Sequence, residues 1–229
     1  MDVDVFNDVP TAAAGLALDS ITDVAHRLEH AQAEAVGALV DRRYAGRGYK
    51  CTRLSALRED ALTVCSASQG ERVVGTIAVR FPSPRGFNAE TCFAPELATL
   101  RAEGRVLCEF TRLAMDDEVR DNKRVLARLF HLAYLHGHRL GGCDMVVIEV
   151  NPRHVAFYRR MLGFTVRSDV RENPLVGAPA VLMSMDMHAG RSLIASLGGR
   201  PELASTTRML YPFFYSAAEE ETLLRRLKQ

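Results

Sequence analysis

The chain has 229 residues, 48% hydrophobic and 25% charged, with 29 Lys plus Arg against 28 Asp plus Glu and a formal net charge of +1. A chain of this size and composition buries its own core, which excludes a fold dependent on disulfides or a structural metal. Balanced charge without a basic tail excludes generic nucleic-acid binding, and no apolar run approaches the roughly 20 residues that span a bilayer. The start, Met1-Asp-Val-Asp-Val-Phe-Asn-Asp, lacks the basic region of a secretory signal, and Cys51, Cys65, Cys92, Cys108 and Cys143 are scattered without a Cys-x-x-Cys pair. Reduced thiols and a cytoplasmic location are expected.

Residues 1–20 mix Asp, Pro, Gly and Ala without a period and read as an N-terminal arm. A short strand is predicted over 21–25, then a helix in which Ala35, Val36, Leu39, Val40 and Tyr44 recur at helical spacing until Gly46 and Gly48. Residues 62–68 and 72–81 are β-rich runs joined through Gln69-Gly70 as a hairpin. A helical piece over 95–102 leads to a strand over 105–115, where Leu107, Glu109, Thr111 and Leu113 share one face and Glu109 is its odd member. Asp121-Asn122 caps a helix whose apolar stripe runs from Val125 to Leu140, ending at Gly141-Gly142. Met145–Val150 is nearly all apolar, as in a strand covered on both faces. Asn151-Pro152 then opens a helix carrying Val155, Phe157, Tyr158, Met161 and Leu162, ended by Gly163. Strands over 164–170 and 180–187 flank a loop over 172–179, and the tail holds an aromatic run over 209–215 and a helix over 219–227. This order predicts an α+β fold with a central, mostly antiparallel twisted sheet flanked by helices.

Two stretches carry a family resemblance. Val147-Ile-Glu-Val-Asn-Pro-Arg-His-Val-Ala-Phe-Tyr-Arg-Arg-Met-Leu-Gly-Phe164 resembles the late strand–helix signature of the GNAT superfamily of N-acyltransferases, in which Asn opens the helix and Tyr follows seven residues later. Asn151 and Tyr158 match, whereas Gly163-Phe164 comes one residue later than in ordinary members. Cys108-Glu-Phe-Thr-Arg-Leu-Ala-Met-Asp116 resembles the Glu-x-(Ser/Thr)-Arg-Leu-Ala-Val strand shared by acyl amino acid synthases and acyl-homoserine-lactone synthases. Both stretches together, in this order, resemble the branch of long-chain N-acyl amino acid synthases of the FeeM type over about residues 21–190, leaving 191–229 as a C-terminal helical extension and candidate lid. Acyl-homoserine-lactone synthases rely on an N-terminal tryptophan, and this chain has no Trp.

The resemblance implies a GNAT-like acyl-CoA N-acyltransferase fold and transfer of a long-chain acyl group to the amine of an amino acid. Acetyltransferases of the superfamily hold the coenzyme A pyrophosphate on an (Arg/Gln)-x-x-Gly-x-(Gly/Ala) loop at a helix N-terminus. The matching stretch, 115–125, has no glycine, and Asp116, Asp117 and Glu118 would repel a diphosphate. The donor implied is therefore the phosphopantetheine thioester of an acyl carrier protein, with no permanently bound cofactor. An acidic carrier would dock on Arg120, Lys123, Arg124 and Arg128, with Arg153, Arg159 and Arg160 on the next helix. The same residues equally fit a solvated, salt-bridged face. Rival readings are an acetyl-CoA-dependent N-acetyltransferase and a catalytically silent protein that binds acyl carrier protein or acyl amino acids.

Acyl transfer from a thioester needs a deprotonated amine, a stabilised oxyanion and a protonated thiol. Glu109, its pKa raised by burial, suits the first role; alternatively it pairs with Arg112 or another Arg beneath the sheet. Backbone N–H groups near Leu113 to Met115 suit the oxyanion. Tyr158, by resemblance, protonates the thiolate, or is an amphipathic core residue. Arg112 either binds the acceptor carboxylate or fixes its loop, and Asn151 and Phe157 complete the substrate-binding set. Cys108 points away from Glu109, which disfavours an acyl-cysteine. His131, His136 and His138 lack the four-residue spacing of a helical metal pair, so no metal is expected; His154 reads as a cap or a proton shuttle. Phe130, Leu132, Tyr134, Met145, Phe157, Met161, Met183, Met185 and Met187 line an acyl slot or make ordinary core. The aromatic tail is a lid, an oligomer contact or a peripheral membrane element.

Overall fold

The computed structural model describes residues 23–24, 30–49, 61–119 and 121–229. The expected N-terminal arm, Cys51 and Arg120 lie outside the described residues. Eight strands are present among them: β1 (Asp23–Val24), β2 (Leu62–Gln69), β3 (Arg72–Arg80), β4 (Leu107–Met115), β5 (Met145–Val150), β6 (Thr165–Val166), β7 (Arg171–Asn173) and β8 (Ala178–Asp186). The helices are α1 (His30–Ala45) after β1, α2 (Glu90–Ala102) before β4, α3 (Asn122–Tyr134) before β5 and α4 (Val155–Leu162) before β6. After β8 come α5 (Met187–Leu197), α6 (Ala204–Thr207) and α7 (Ala217–Leu227). The sheet runs β1-β2-β3-β4-β5-β8-β6, with β7 on the first residues of β8. Among the described residues only β4 and β5 pair in parallel. The result is the α+β fold expected of the GNAT resemblance.

Strand alternation sorts the core into two faces. Val146, Ile148 and Val150 of β5 and Val181 and Met183 of β8 join α3 and α4 on one face; Met145, Val147, Ala180 and Leu182 meet Phe93, Leu97 and Leu100 of α2 on the other. Val36, Leu39 and Val40 of α1 pack with Ala78 and Ala114 in a third cluster. Gly75 on β3 permits the close approach of α3: a Cβ there would lie 2.9 Å from both Leu129 Cδ1 and Met115 Sδ.

Several predicted elements shift. The strand predicted over 164–170 shortens to β6, and β7 occupies part of the segment read as loop. The helix predicted from 95 begins at Glu90, with Pro95 tolerated beyond a kink at Phe93. The helix after Asp121 turns π-helical over Leu135–Leu140.

The shared face predicted for Leu107, Glu109, Thr111 and Leu113 is wrong at Leu113. Thr76 pairs with Ala114 and Ala78 with Thr111, so Ile77 stands opposite both Arg112 and Leu113. This is a β-bulge, and Arg112 takes the left-handed conformation at φ 55°. Beyond it Leu113 and Met115 turn to the α3 face.

The C-terminal extension is fastened to the fold. Ile194, Leu210, Tyr211, Phe214, Tyr215 and Leu224 share the core of α3 and α4. Buried His131 accepts the Tyr215 N–H at Nδ1 (3.0 Å) and meets Glu220 Oε2 at 3.1 Å through Nε2. The Tyr211 hydroxyl donates to the Leu162 carbonyl at 2.8 Å. Among the described residues, no helix is long and apolar enough to cross a membrane.

Candidate active site

The parallel ladder between β4 and β5 holds only from Leu107↔Met145 to Glu109↔Val147. Beyond it the strands part, and residues 109–113 of β4 and 148–150 of β5 line a cavity of about 1100 Å³. The lining comes from both faces of the sheet, so the cavity threads the gap between these strands. On the α3 face its lining is mainly apolar, with Phe110, Leu126, Phe130, Phe157, Met161 and Phe213 beside Asn122, Lys123 and Arg160. On the α2 face it carries the buried or half-buried polar groups Arg80, Asn88, Glu109, Glu149 and Asn173 beside Ala178, Pro179 and Ala180. Exposed Arg85, Lys123, Arg153, Arg160 and Arg208 also line it.

Glu109 is fully buried, and both its oxygens are engaged. Oε2 accepts the Asn88 N–H at 2.8 Å and Oε1 the Ala89 N–H at 2.9 Å, so the carboxylate caps the start of α2, where Ala89 has no capping side chain. Arg80, equally buried, places Nε 3.7 Å from Oε2. Burial outweighs these partners and pushes the carboxyl up to about 7. Of the two readings open in the sequence, the ionic partner exists, and it is Arg80.

Glu149 was passed over in the sequence. It is the single acid of an apolar strand, and that interruption was the available signal. Following Val147 by two residues, it faces the same side as Glu109. Oε1 accepts a hydrogen bond from Asn173 Nδ2, and Asn173 is fixed by accepting the Leu175 N–H at 2.8 Å. Burial raises the Glu149 pKa against that hydrogen bond.

Tyr158 lies in the same cavity, edge-on to Phe130 at 6.2 Å and Phe164 at 5.8 Å. Burial drives its hydroxyl pKa well up, and Tyr44 of α1, itself pushed up to about 12 by burial, adds to the effect. Arg112, Leu113, Met115, Asn151 and Phe157 also line the cavity, so it brings together all the expected catalytic and substrate-binding residues. Asn151 caps the turn before α4, accepting the Arg153 N–H at 3.2 Å.

The expected docking residues separate. Lys123 and Arg160 reach the cavity, and Arg159 is exposed on α4. Arg124 pairs with Asp121 at 3.3 Å. Arg128 lies over the Tyr215 ring at 4.9 Å and 3.8 Å from Glu219, so it anchors the C-terminal extension.

The acids of 115–125 are likewise engaged. Asp116 meets Arg72 at 2.8 Å and Arg42 at 3.2 Å, Asp117 pairs with Arg43, and Glu118 meets Arg72 at 2.6 Å. Burial raises the Asp116 carboxyl, but the Glu118 N–H and Arg72 more than offset it and hold it below its ordinary range. The expected repulsion of a diphosphate is therefore largely neutralised; the missing glycines remain.

Of the expected acyl-slot residues, Phe130, Phe157 and Met161 line the cavity. Leu132, Tyr134, Met183 and Met187 are packed core on the α3 face, Met185 packs at its edge, and Met145 belongs to the α2 face. Cys108 is buried on the face opposite Glu109, where its Sγ lies 3.0 Å from a Cβ built on Gly137. Among the described residues, no three His, Cys, Asp or Glu side chains group to hold a metal ion.

No curated protein sequence matches the chain. Residues 35–186 match the family model described as N-acyl amino acid synthase FeeM. The solved structure of FeeM, an N-acyl amino acid synthase from uncultured soil microbes, superposes with a TM-score of 0.65 at 27% identity, covering 76% of this chain and 95% of that one. An acyl-CoA N-acyltransferase from Pseudomonas aeruginosa (TM-score 0.53, 16% identity, 72% of this chain and 98% of that one) shares the fold. So does aminoglycoside 6'-acetyltransferase type Ii (0.51, 13%, 73% and 97%). With two thirds of its length matched by one family model and a cavity opened by parted strands, the chain belongs to the FeeM family of N-acyl amino acid synthases and is an acyltransferase.

Proposed function

We propose that the protein transfers a long-chain acyl group from the phosphopantetheine thioester of an acyl carrier protein to the amine of an amino acid. The observation that carries this reading is a cavity lined from both faces of the sheet, richer in apolar side chains on the α3 face and in buried carboxylate and amide groups on the α2 face. An acyl chain and a charged acceptor can then enter from opposite faces and meet between β4 and β5. Where these strands part, backbone groups leave the ladder and are available to the amides of a pantetheine arm. The bulge leaves one residue of β4 out of register with β3, and its backbone N–H is the donor assigned to the oxyanion. Among the lining residues, Tyr158 supplies the thiolate's proton and Arg112 binds the acceptor's carboxylate.

The carrier protein is favoured by the absence of glycine from 115–125 and by the exposed cations lining the cavity, which complement an acidic surface. The ammonium's proton goes to the carboxylates of the polar face. The test is incubation of purified protein with a hexadecanoyl carrier-protein thioester and the twenty amino acids, followed by mass spectrometry. N-hexadecanoyl amino acids are expected; thioester left intact with every acceptor refutes the reading.

A further inference from the structure

We infer that Glu149 is the catalytic residue that takes the ammonium's proton, and that Glu109 is a positioning residue that holds α2 and Arg80 beside it. The inference rests on the acyl-transfer reading above and divides the work of its two carboxylates.

Access separates the two groups. Glu109 is 1% exposed, and each of its oxygens accepts a backbone N–H from the start of α2. Moving either oxygen toward a substrate would uncover a helix N-terminus and leave the Arg80 charge buried without it. Glu149 is only partly buried, and one oxygen alone is committed, to Asn173. Its Oε2 accepts no hydrogen bond among the described residues and is not closed off from solvent, on a side chain that lines the cavity.

The support behind Glu149 is that of a general base. Asn173 is buried, its Oδ1 is taken by the Leu175 N–H, and the amide is thereby turned so that Nδ2 points at Glu149. A base held by a third group that is itself held by backbone keeps its free oxygen aimed. Glu149 interacts by charge with Glu109 on β4, Cys92 on α2 and Tyr44 on α1, and the guanidiniums of Arg80 on β3, held by Glu109, and Arg112 on β4 line the same cavity.

In the step, one N–H bond of the ammonium breaks and an O–H bond forms at Glu149 Oε2. The freed lone pair attacks the thioester carbonyl, the C–N bond forms and the C–S bond breaks. Tyr158 protonates the departing thiolate, and the second amine proton returns to the Tyr158 oxygen. Glu149 returns its proton to water.

The experiment measures acyl transfer from a hexadecanoyl carrier-protein thioester to amino acids and to methoxyamine, a nucleophile already neutral at pH 7. Glu149→Gln should slow amino-acid acylation by about 10²-fold to 10⁴-fold and abolish the acid-side inflection of its pH profile, with methoxyamine acylation near the wild-type rate. Glu149→Asp, which keeps a carboxylate, should retain the inflection, as should Glu109→Gln. The inference is overturned if Glu149→Gln turns over amino acids within a few-fold of wild type. It is overturned equally if both nucleophiles slow alike, or if Glu109→Gln alone loses the inflection. A wild-type protein that acylates no amino acid overturns the reading beneath it as well.

Discussion

Replacing Glu109 by Gln tests how burial and partners balance at the centre of the sheet. The folded protein holds this carboxyl at about 7 against an ordinary value of 4.5. A group whose folded pKa is raised binds its proton more tightly folded than unfolded. Its stabilisation is complete below about pH 4.5 and is lost as pH rises through 7. At roughly 1 kcal/mol per pH unit or slightly more the whole effect is about 3 kcal/mol, most of it falling between pH 5 and pH 8. Gln has no proton to lose, so subtracting its unfolding free energy from that of the wild type cancels the titrating groups that do not interact with Glu109. Urea unfolding of both proteins at half-unit steps from pH 5 to pH 8 provides the numbers. The wild type should lose about 2 to 3 kcal/mol relative to Glu109→Gln across the range. A difference independent of pH, or one that favours the wild type as pH rises, would show that Arg80 and the two backbone amides outweigh burial.

Three further outcomes are expected. Gly75→Ala should destabilise by about 1 to 3 kcal/mol in chemical unfolding, because the new methyl meets Leu129 and Met115 at 2.9 Å. Lys123→Glu with Arg160→Glu should weaken carrier-protein binding with stability changed by under about 0.5 kcal/mol each. Arg128→Glu, by contrast, should cost about 1 to 2 kcal/mol through its lost contact with Tyr215 and leave carrier binding intact, both read by calorimetry. Tyr158→Phe should slow single-turnover thioester aminolysis about 10²-fold with unchanged donor affinity.

Much of the fold was legible because periodicity is a local property. The hairpin, the apolar run of β5, the Asn151-Pro152 helix start and the Gly163 stop at φ 81° are each written in a few adjacent residues. The bulge was not, since an extra residue in β4 is defined only by its register against β3. Its effect, turning Leu113 to the other face, therefore escaped a reading that assumed strict alternation. Among the site residues, Glu109 and Tyr158 stood out by residue type within a motif. Arg80 and Asn173 become relevant only through pairings 29 and 24 residues apart in sequence, with Glu109 and Glu149. The basic residues were legible as a group but not in their individual uses, since Arg128 and Arg124 have partners that only the packed helices reveal.

A carrier-protein donor is distinguished from a coenzyme A donor by the ratio of kcat/KM for the two thioesters of one long-chain acid. The segment 115–125 lacks the glycines with which acetyltransferases of the superfamily hold the pyrophosphate, and the exposed cations beside the cavity complement the acidic carrier proposed above. With a saturating amino-acid mixture as acceptor, the carrier-protein thioester should be preferred by at least about 10²-fold, the equivalent of two well-placed contacts. Equal use of both donors, or preference for the coenzyme A thioester, would contradict the account.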